Sequence, residues 1–455
     1  MPEHRDPADA PRPETTRPDA LGFATRQIHA GADRIDGHRP RATPIYLTAG
    51  FEFADFDQAN ERFVQSDDGY SYTRVGNPTN SAVERRIADL EGGAGALLVG
   101  SGQAAVSTAV LALAASGDHL VSASGIYEGS RELFRDNFSR LGIETSFVTE
   151  ANDPAAWEAA IRPETKALFA ESIPNPRNEI LDIAAVAAVA RRHGIPLIID
   201  STLATPYLLR PIEHGADVVV HSASKFLAGH GTVLGGVIVD AGRIDWTATG
   251  DRFPHLTRTP GSDGRTVAER SGRAAFLDYA RANIALRQGP SPSPFNAFFI
   301  LQGIETLSLR VQRHSESAQR IAEWLAEHPA VESVDYSGLP SSPYHALAER
   351  YLPRGAGSVF SFTLRGGRDA ARTFVNAVEL FTRMTHLGDV RSLVLHPAST
   401  THVNRTEQER QAAGIGQGLL RLSIGLEDAD DLIADLDRAL GAVEAAELLE
   451  RAGIV

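Results

Sequence analysis

From about residue 80 onward, short apolar runs alternate with alanine-rich stretches whose apolar positions recur at helical spacing. The runs are "ALLV" at 96–99, "HLVSA" at 119–123, "TSFV" at 145–148, "ALFA" at 167–170, "PLIID" at 196–200, "DVVVH" at 217–221 and "GGVIV" at 235–239. Their length and β-branched content predict strands. The stretches at 103–115, 127–140 and 182–193 predict helices between several of them. Strand and helix in alternation predict an α/β fold with a mainly parallel sheet of seven strands, covered on both faces by its crossover helices. Ligands of such sheets collect beyond the carboxyl ends of the strands.

The alternation stops at "RQGPSPSP", 287–294, where proline and glycine mark a boundary. After it come a long helical stretch from 295 to 328, strand candidates "VESVDY", "SVFSFTL" and "LRLSIGL", and a last helix from about 428 to 447. That order predicts a smaller α+β domain. Residues 21–80 have few periodic features and are expected to form an arm that packs on another subunit. Residues 1–20, rich in proline, acid and arginine without an apolar core, read as a disordered tail. The expected organisation is therefore tail 1–20, arm 21–80, large domain 81–288 and C-terminal domain 289–455.

Composition narrows the function. A chain of 455 residues that is 42% hydrophobic and 22% charged is an ordinary globular protein with room for two or three domains. Its net charge of −14 argues against nonspecific binding to nucleic acid or to an anionic membrane. The absence of cysteine excludes disulfides, thiolate catalysis and cysteine-based zinc sites. His396 and His402 are too far apart for a helical ligand pair, and no metal is expected. No run approaches the about 18 apolar residues of a membrane span, and the chain reads as cytoplasmic.

The candidate chemistry starts from lysine. The chain has two lysines, Lys166 and Lys225, against 42 arginines. Both residue types carry surface charge, but only lysine can lose its proton near neutral pH and attack a carbonyl. Lys166, in "RPETKALFA", reads as a solvated charge. Lys225, in "HSASKFLAGHG", follows an apolar strand among small hydroxyl residues and glycines.

Other motifs gather around the strand ends. "GSGQAAV" at 100–106 follows a strand and opens a helix, where backbone N–H groups can hold a phosphate. It also resembles a dinucleotide fingerprint, the sign of an NAD(P)-dependent oxidoreductase. That motif wants an acid at the end of the next strand, and Asp118 instead precedes it. A turn needed only for packing would look the same. Asp200 ends the strand "PLIID", either as a cap of the next turn or as a carboxylate that keeps a heterocyclic nitrogen protonated. Ser222 and Ser224 could complete a phosphate cup. Tyr72 and Arg74 lie two residues apart in "GYSYTRVGNPT", on one side of an extended segment. Asn175 lies in the turn "ESIPNP", Tyr127 opens a helix after a strand, and Arg421 sits on a strand in "GLLRLSIGLED". The planar fork of Arg421 suits a carboxylate, or an interdomain ion pair. A phosphate cup, a strand-end acid, a flat aromatic ring and one reactive amine are together what pyridoxal 5′-phosphate requires.

Together, "YSYTRVGNPTN", "ESIPNP", "DSTLATP" and "HSASKFLAGHG" resemble the pyridoxal-phosphate-dependent Cys/Met metabolism (trans-sulfuration) enzymes, and among these the O-acetylhomoserine sulfhydrylases. The resemblance runs from "FATRQIHAG" at 23 to "LSIGLED" at 428. It implies an aspartate-aminotransferase-like fold with pyridoxal phosphate carried on Lys225. Asp200 would pair with the ring nitrogen, Asn175 with the ring hydroxyl, and Tyr127 would stack on the ring. Gly102, Gln103, Ser222 and Ser224 would hold the phosphate, with Thr202 beside them. Tyr72 and Arg74 would reach the phosphate of a neighbouring subunit, in a homotetramer with shared sites. Ser392 and Arg421 would hold the substrate carboxylate. Small departures keep the needed side chains, although Glu128, in "YEGS" where "YGGT" is frequent, adds a charge beside Tyr127.

The family also contains cystathionine γ-synthases and methionine or cystathionine γ-lyases. The long segment from 241 to about 285 resembles the insertion of the sulfhydrylases. Arg391, in "GDVRSLVLHPASTTH", stands where many of the lyases have an acid, and a cation there would suit an anionic nucleophile. The implied reaction is γ-replacement, in which O-acetyl-L-homoserine and sulfide give L-homocysteine and acetate.

Overall fold

The computed structural model describes residues 21–31, 40–63, 69–261 and 263–452. The expected tail at 1–20 lies outside the described residues. Seven strands build the large sheet: β1 (Gly95–Val99), β2 (His119–Ala123), β3 (Glu144–Val148), β4 (Thr165–Glu171), β5 (Leu197–Asp200), β6 (Val218–Ser222) and β7 (Gly236–Asp240). Their order is β1-β7-β6-β5-β4-β2-β3. Only β7 runs against its neighbours. β2 and β7 are buried from end to end and β4 at every position but Lys166, because helices cover both faces, and this is why they read as continuous apolar runs.

Local chemistry starts and stops the flanking helices. Helix Pro78–Glu91 begins on Asn77, whose side chain accepts from the Thr79 N–H, and ends at Gly92 in the left-handed region, φ 76°. Helix Gly102–Leu111 begins on Ser101, which accepts from the Ala104 N–H. The predicted long helix at 295–328 is two helices, Pro294–Ile304 and Leu307–Glu327. The buried guanidinium of Arg310 donates to the Gly303 carbonyl at 2.7 Å and so satisfies the end of the first helix.

Five strands build the second sheet: β8 (Val331–Asp335), β9 (Val359–Leu364), β10 (Thr382–Arg383), β11 (Leu393–Leu395) and β12 (Leu419–Ser423), in the order β10-β11-β12-β9-β8. Each sheet has its own buried core. The division falls inside helix Leu307–Glu327. Leu307 and Val311 pack into the larger core, while Ala318, Ile321 and Leu325 pack into the smaller one. Residues of 294–311 thus pack with the larger core, as do Ala348, Tyr351, Leu352, Val359 and Leu387 from farther along the chain.

One expectation changes. Lys166 is not solvated: its amine pairs with Asp118 at 3.3 Å and donates to the Arg252 carbonyl, with most of its side chain buried. The segment 241–285 folds into short helices around an aromatic cluster. The Trp246 ring lies 5.3 Å from Phe253 and 6.1 Å from Phe276. Among the described residues, no helix is long and apolar enough to cross a membrane.

Candidate active site

A cavity of about 700 Å³ opens between the two sheets, at the carboxyl ends of β4, β5 and β6. Gly102, Gln103, Tyr127, Asn175, Asp200, Thr202, Ser222, Ser224, Lys225 and Arg421 all line it. Residues spread over more than three hundred positions meet there because parallel strands deliver their ends to one edge.

At the base, β4 and β5 end in register on Glu171 and Asp200. Asp200 accepts from the backbone N–H and the hydroxyl of Thr202, at 2.9 and 2.5 Å. The Thr202 oxygen in turn accepts from the Ser222 N–H at 2.8 Å, which ties the end of β5 to the end of β6. Burial pushes the Asp200 carboxyl up against the opposing Thr202 bonds. Burial, and then the Asp200 charge, push Glu171 well above the ordinary carboxylate range. No lysine or arginine among the described residues forms an ion pair with Asp200.

Lys225 follows β6. Burial, and then the Arg421 charge, lower its amine to about 8. Its Nζ lies 3.1 Å from Nδ1 of His386, which burial and then the Lys225 charge lower to about 4. The amine therefore gives up its proton far more readily than an ordinary lysine, and on the order of a tenth of it is already in the nucleophilic form at neutral pH.

The N-terminus of helix Gly102–Leu111 faces the same space. A Cβ on Gly102 would lie 2.7 Å from that of Ser222, so only glycine lets these two segments meet. Gln103 Oε1 accepts from Ser130 at 3.0 Å, and the Ser224 hydroxyl is bound to both backbone polar groups of Gly235. Tyr127 caps helix Glu128–Glu132, and its N–H donates to Glu171 at 2.6 Å. Its ring reaches the cavity.

Arg421 comes from β12 in the smaller sheet. One terminal nitrogen faces Asn175 Oδ1 at 3.3 Å, and the other donates to the carbonyls of Thr385 and His386 at 3.0 Å each. Its Nε and His386 Nε2 are buried without a protein partner. Both residues line the cavity, and the fold leaves these two nitrogens unsatisfied.

Ser392 and Arg391 are not brought to the cavity, and Tyr72 and Arg74, expected at a neighbouring subunit's phosphate, do not line this one. Ser392 is fully buried, donates to Glu427 at 2.9 Å and accepts from the Gly425 N–H at 2.8 Å. Its hydroxyl is already used in holding the fold. The Arg391 side chain is 62% exposed and bonds Asp389 at 2.7 Å and the His230 carbonyl at 2.8 Å. Its charge is matched by Asp389 and fastens the loop after Lys225, so the expected link between this cation and an incoming anion has no geometric basis here. Tyr72 and Arg74 lie together on the exposed arm, with the guanidinium 5.6 Å from the ring centre and bonded to the Leu286 carbonyl.

Sequence alone did not point to His386, Glu171 or Arg405. Glu171 ends an apolar strand as Asp200 does, and the same rule would have found it. Nothing local marks His386 or Arg405, and Glu128 stood out only as an added charge whose partner was not legible. Asp118 sits at the start of β2 paired with Lys166, where it cannot serve a dinucleotide ribose. No cluster that could hold a metal occurs among the described residues.

This donor set fits a pyridoxal phosphate. A buried amine that titrates near 8 shares the cavity with a buried carboxylate that has no cation partner among the described residues, next to a helix N-terminus and hydroxyls able to receive a phosphate. Comparison with known proteins agrees. The model of the Cys/Met metabolism PLP-dependent enzymes matches residues 24–441. An O-acetyl-L-homoserine sulfhydrylase of Corynebacterium glutamicum is 44% identical over 95% of this chain and 100% of its own length. A homocysteine synthase of Schizosaccharomyces pombe is 43% identical over 92% of this chain and 98% of its own. A crystal structure described as a putative O-acetylhomoserine (thiol)-lyase of Campylobacter jejuni superposes with a TM-score of 0.88 at 37% identity. It covers 92% of this chain and 100% of its own, and it carries an N′-pyridoxyl-lysine-5′-monophosphate.

Proposed function

The chain belongs to the Cys/Met metabolism PLP-dependent enzymes, and from that premise we propose that its interdomain cavity converts O-acetyl-L-homoserine and sulfide to L-homocysteine and acetate. It is a pyridoxal-phosphate-dependent transferase of the aspartate-aminotransferase-like fold. The observation that carries the reading is Lys225, an amine lowered to about 8 in the same cavity as the buried Asp200.

Bound pyridoxal phosphate supplies the electron sink for charge that develops at the substrate α-carbon. The protein does the rest. The Lys225 amine holds the cofactor, then takes and returns protons at the substrate carbons. The Asp200 carboxylate keeps the ring nitrogen protonated, and Asn175 bonds the ring hydroxyl. Gly102, Gln103, Ser222 and Ser224 hold the phosphate. Arg421, which lines the cavity, receives the substrate carboxylate.

The deciding assay offers O-acetylhomoserine with sulfide, O-acetylhomoserine with cysteine, and cystathionine or methionine alone. Homocysteine formation from sulfide is expected to be the fastest. If breakdown of methionine or cystathionine to a 2-oxo acid outpaces it, the enzyme is a lyase. With Arg391 turned away and paired, the preference for sulfide rests on the relatives and not on that charge.

The site is completed by a second subunit in a cytoplasmic homotetramer. Leu47, Phe56, Phe63 and Tyr72 are exposed on the arm, an apolar surface that a partner subunit would cover. Tyr72 and Arg74 then serve the partner's phosphate. Inactive Lys225→Ala protein mixed and reassembled with inactive Arg74→Ala protein should regain up to about a quarter of wild-type activity, since one site in each mixed dimer is intact. Mixed assemblies without activity would rule out the shared site.

A further inference from the structure

The charge beside Tyr127 has a partner in the other domain. Glu128 opens helix Glu128–Glu132 and lines the cavity. Both Nε and a terminal nitrogen of Arg405 donate to one of its carboxylate oxygens, the first at 2.8 Å. The two side chains are 10% and 9% exposed. Arg405 is anchored on its own side: its carbonyl accepts from Arg410 at 2.6 Å, and Thr406 and Glu409 form the capping box of the next helix. Just before Arg405, Thr401 and His402 also line the cavity. Thr401 and His402 therefore form part of the cavity wall, and this ion pair ties the segment that carries them to the large domain.

We infer that Glu128 and Arg405 are positioning residues that clasp the two domains across the cavity. The pair holds Tyr127 on one side and the Thr401–His402 stretch on the other. It also cancels a carboxylate that would otherwise face entering anions. A buried pair of this kind has an asymmetric response, because removing one partner leaves the other charge uncompensated. Loss of Arg405 leaves a negative charge in the wall, whereas loss of Glu128 leaves a positive one. Arg131 and Glu409 also face the pair, with opposite signs, so they do not reverse this difference.

The test uses Glu128→Gln, Arg405→Leu and the double variant, each with and without pyridoxal phosphate. Hydrogen exchange of the 396–406 backbone should quicken on the order of tenfold in all three, with the rest of the small domain unchanged. In the loaded enzyme, Arg405→Leu should raise the KM for sulfide on the order of tenfold with kcat within about threefold of wild type. Glu128→Gln should not raise it, and the double variant should return it near the starting value. Unchanged exchange in the variants overturns the clasp, and so does an equal rise in sulfide KM for both single variants. The charge-reversed double Glu128→Arg/Arg405→Glu, which should restore slow exchange, decides the matter if Arg405→Leu does not fold. The sulfide arm rests on the proposed reaction. The exchange arm does not, so failure of that reaction and failure of the clasp are told apart.

Discussion

Replacing Lys225 with alanine should abolish the yellow absorbance of the purified enzyme and lower turnover on the order of 10⁴-fold, the scale of losing both the covalent attachment point and the proton-transfer group. The fold should survive, because among the described residues the Lys225 amine makes one hydrogen bond, to the His386 ring, and no ion pair. Borohydride reduction of the wild-type enzyme should fix the cofactor to the peptide containing Lys225. Recovery on Lys166 would overturn the assignment, and the burial of that amine against Asp118 argues against it.

The same residue makes a prediction about pH. In the unfolded chain its amine titrates near the ordinary 10.5, and in the folded apoprotein near 8. Between these values the unfolded chain binds the extra proton. This contribution to apoprotein stability therefore rises with pH across that window and levels off above it. Denaturant titrations of the apoprotein at a series of pH values should show that rise in wild type and lose it in Lys225→Ala. Reattachment of pyridoxal phosphate to the apoprotein should likewise quicken as pH rises through about 8. An attachment rate that climbs only near 10 would mean the amine is not held as described.

The second large effect is expected at Asp200. Asp200→Asn keeps an oxygen for the Thr202 hydrogen bonds but removes the charge opposite the ring nitrogen. Turnover should fall about 10²–10³-fold, the usual cost of removing one preorganised electrostatic group from a water-poor site. Cofactor binding should weaken much less, since the phosphate cup and Lys225 are untouched. The apoprotein should melt at a higher temperature, because Glu171 then faces a neutral neighbour in place of a second buried carboxylate. Turnover within tenfold of wild type would remove Asp200 from its proposed role.

Chain order and local pattern made much of this legible. The strands of the large sheet read as short runs: burial on both faces leaves β2, β4 and β7 little polar alternation, while the edge strand β3, only partly buried, was marked by its β-branched and aromatic residues. The residues that follow those runs, Gly102, Asn175, Asp200 and Lys225, could be picked out by position, since parallel strands bring their ends to one edge. β10 and β11, of two and three residues, were not legible, because so short a pairing has no period. Arg391 and Ser392 show the limit of adjacency. They neighbour one another in sequence, yet Asp389 captures one at the surface and Glu427 captures the other in the interior.

The sequence by itself determined the α/β class, the lone reactive lysine and the strand-end acid, because each depends on a residue's identity and its immediate neighbours. The tertiary structure decided what those groups touch. It brought His386 to Lys225, Arg421 to Asn175 and Arg405 to Glu128, contacts that span 161, 246 and 277 positions. It also buried Glu171 against Asp200 and divided the two cores inside a single helix. Partners so distant leave no periodic trace in the chain. They are selected by the packing of two domains around one cavity, where each charge taken out of water must meet another group or the ligand.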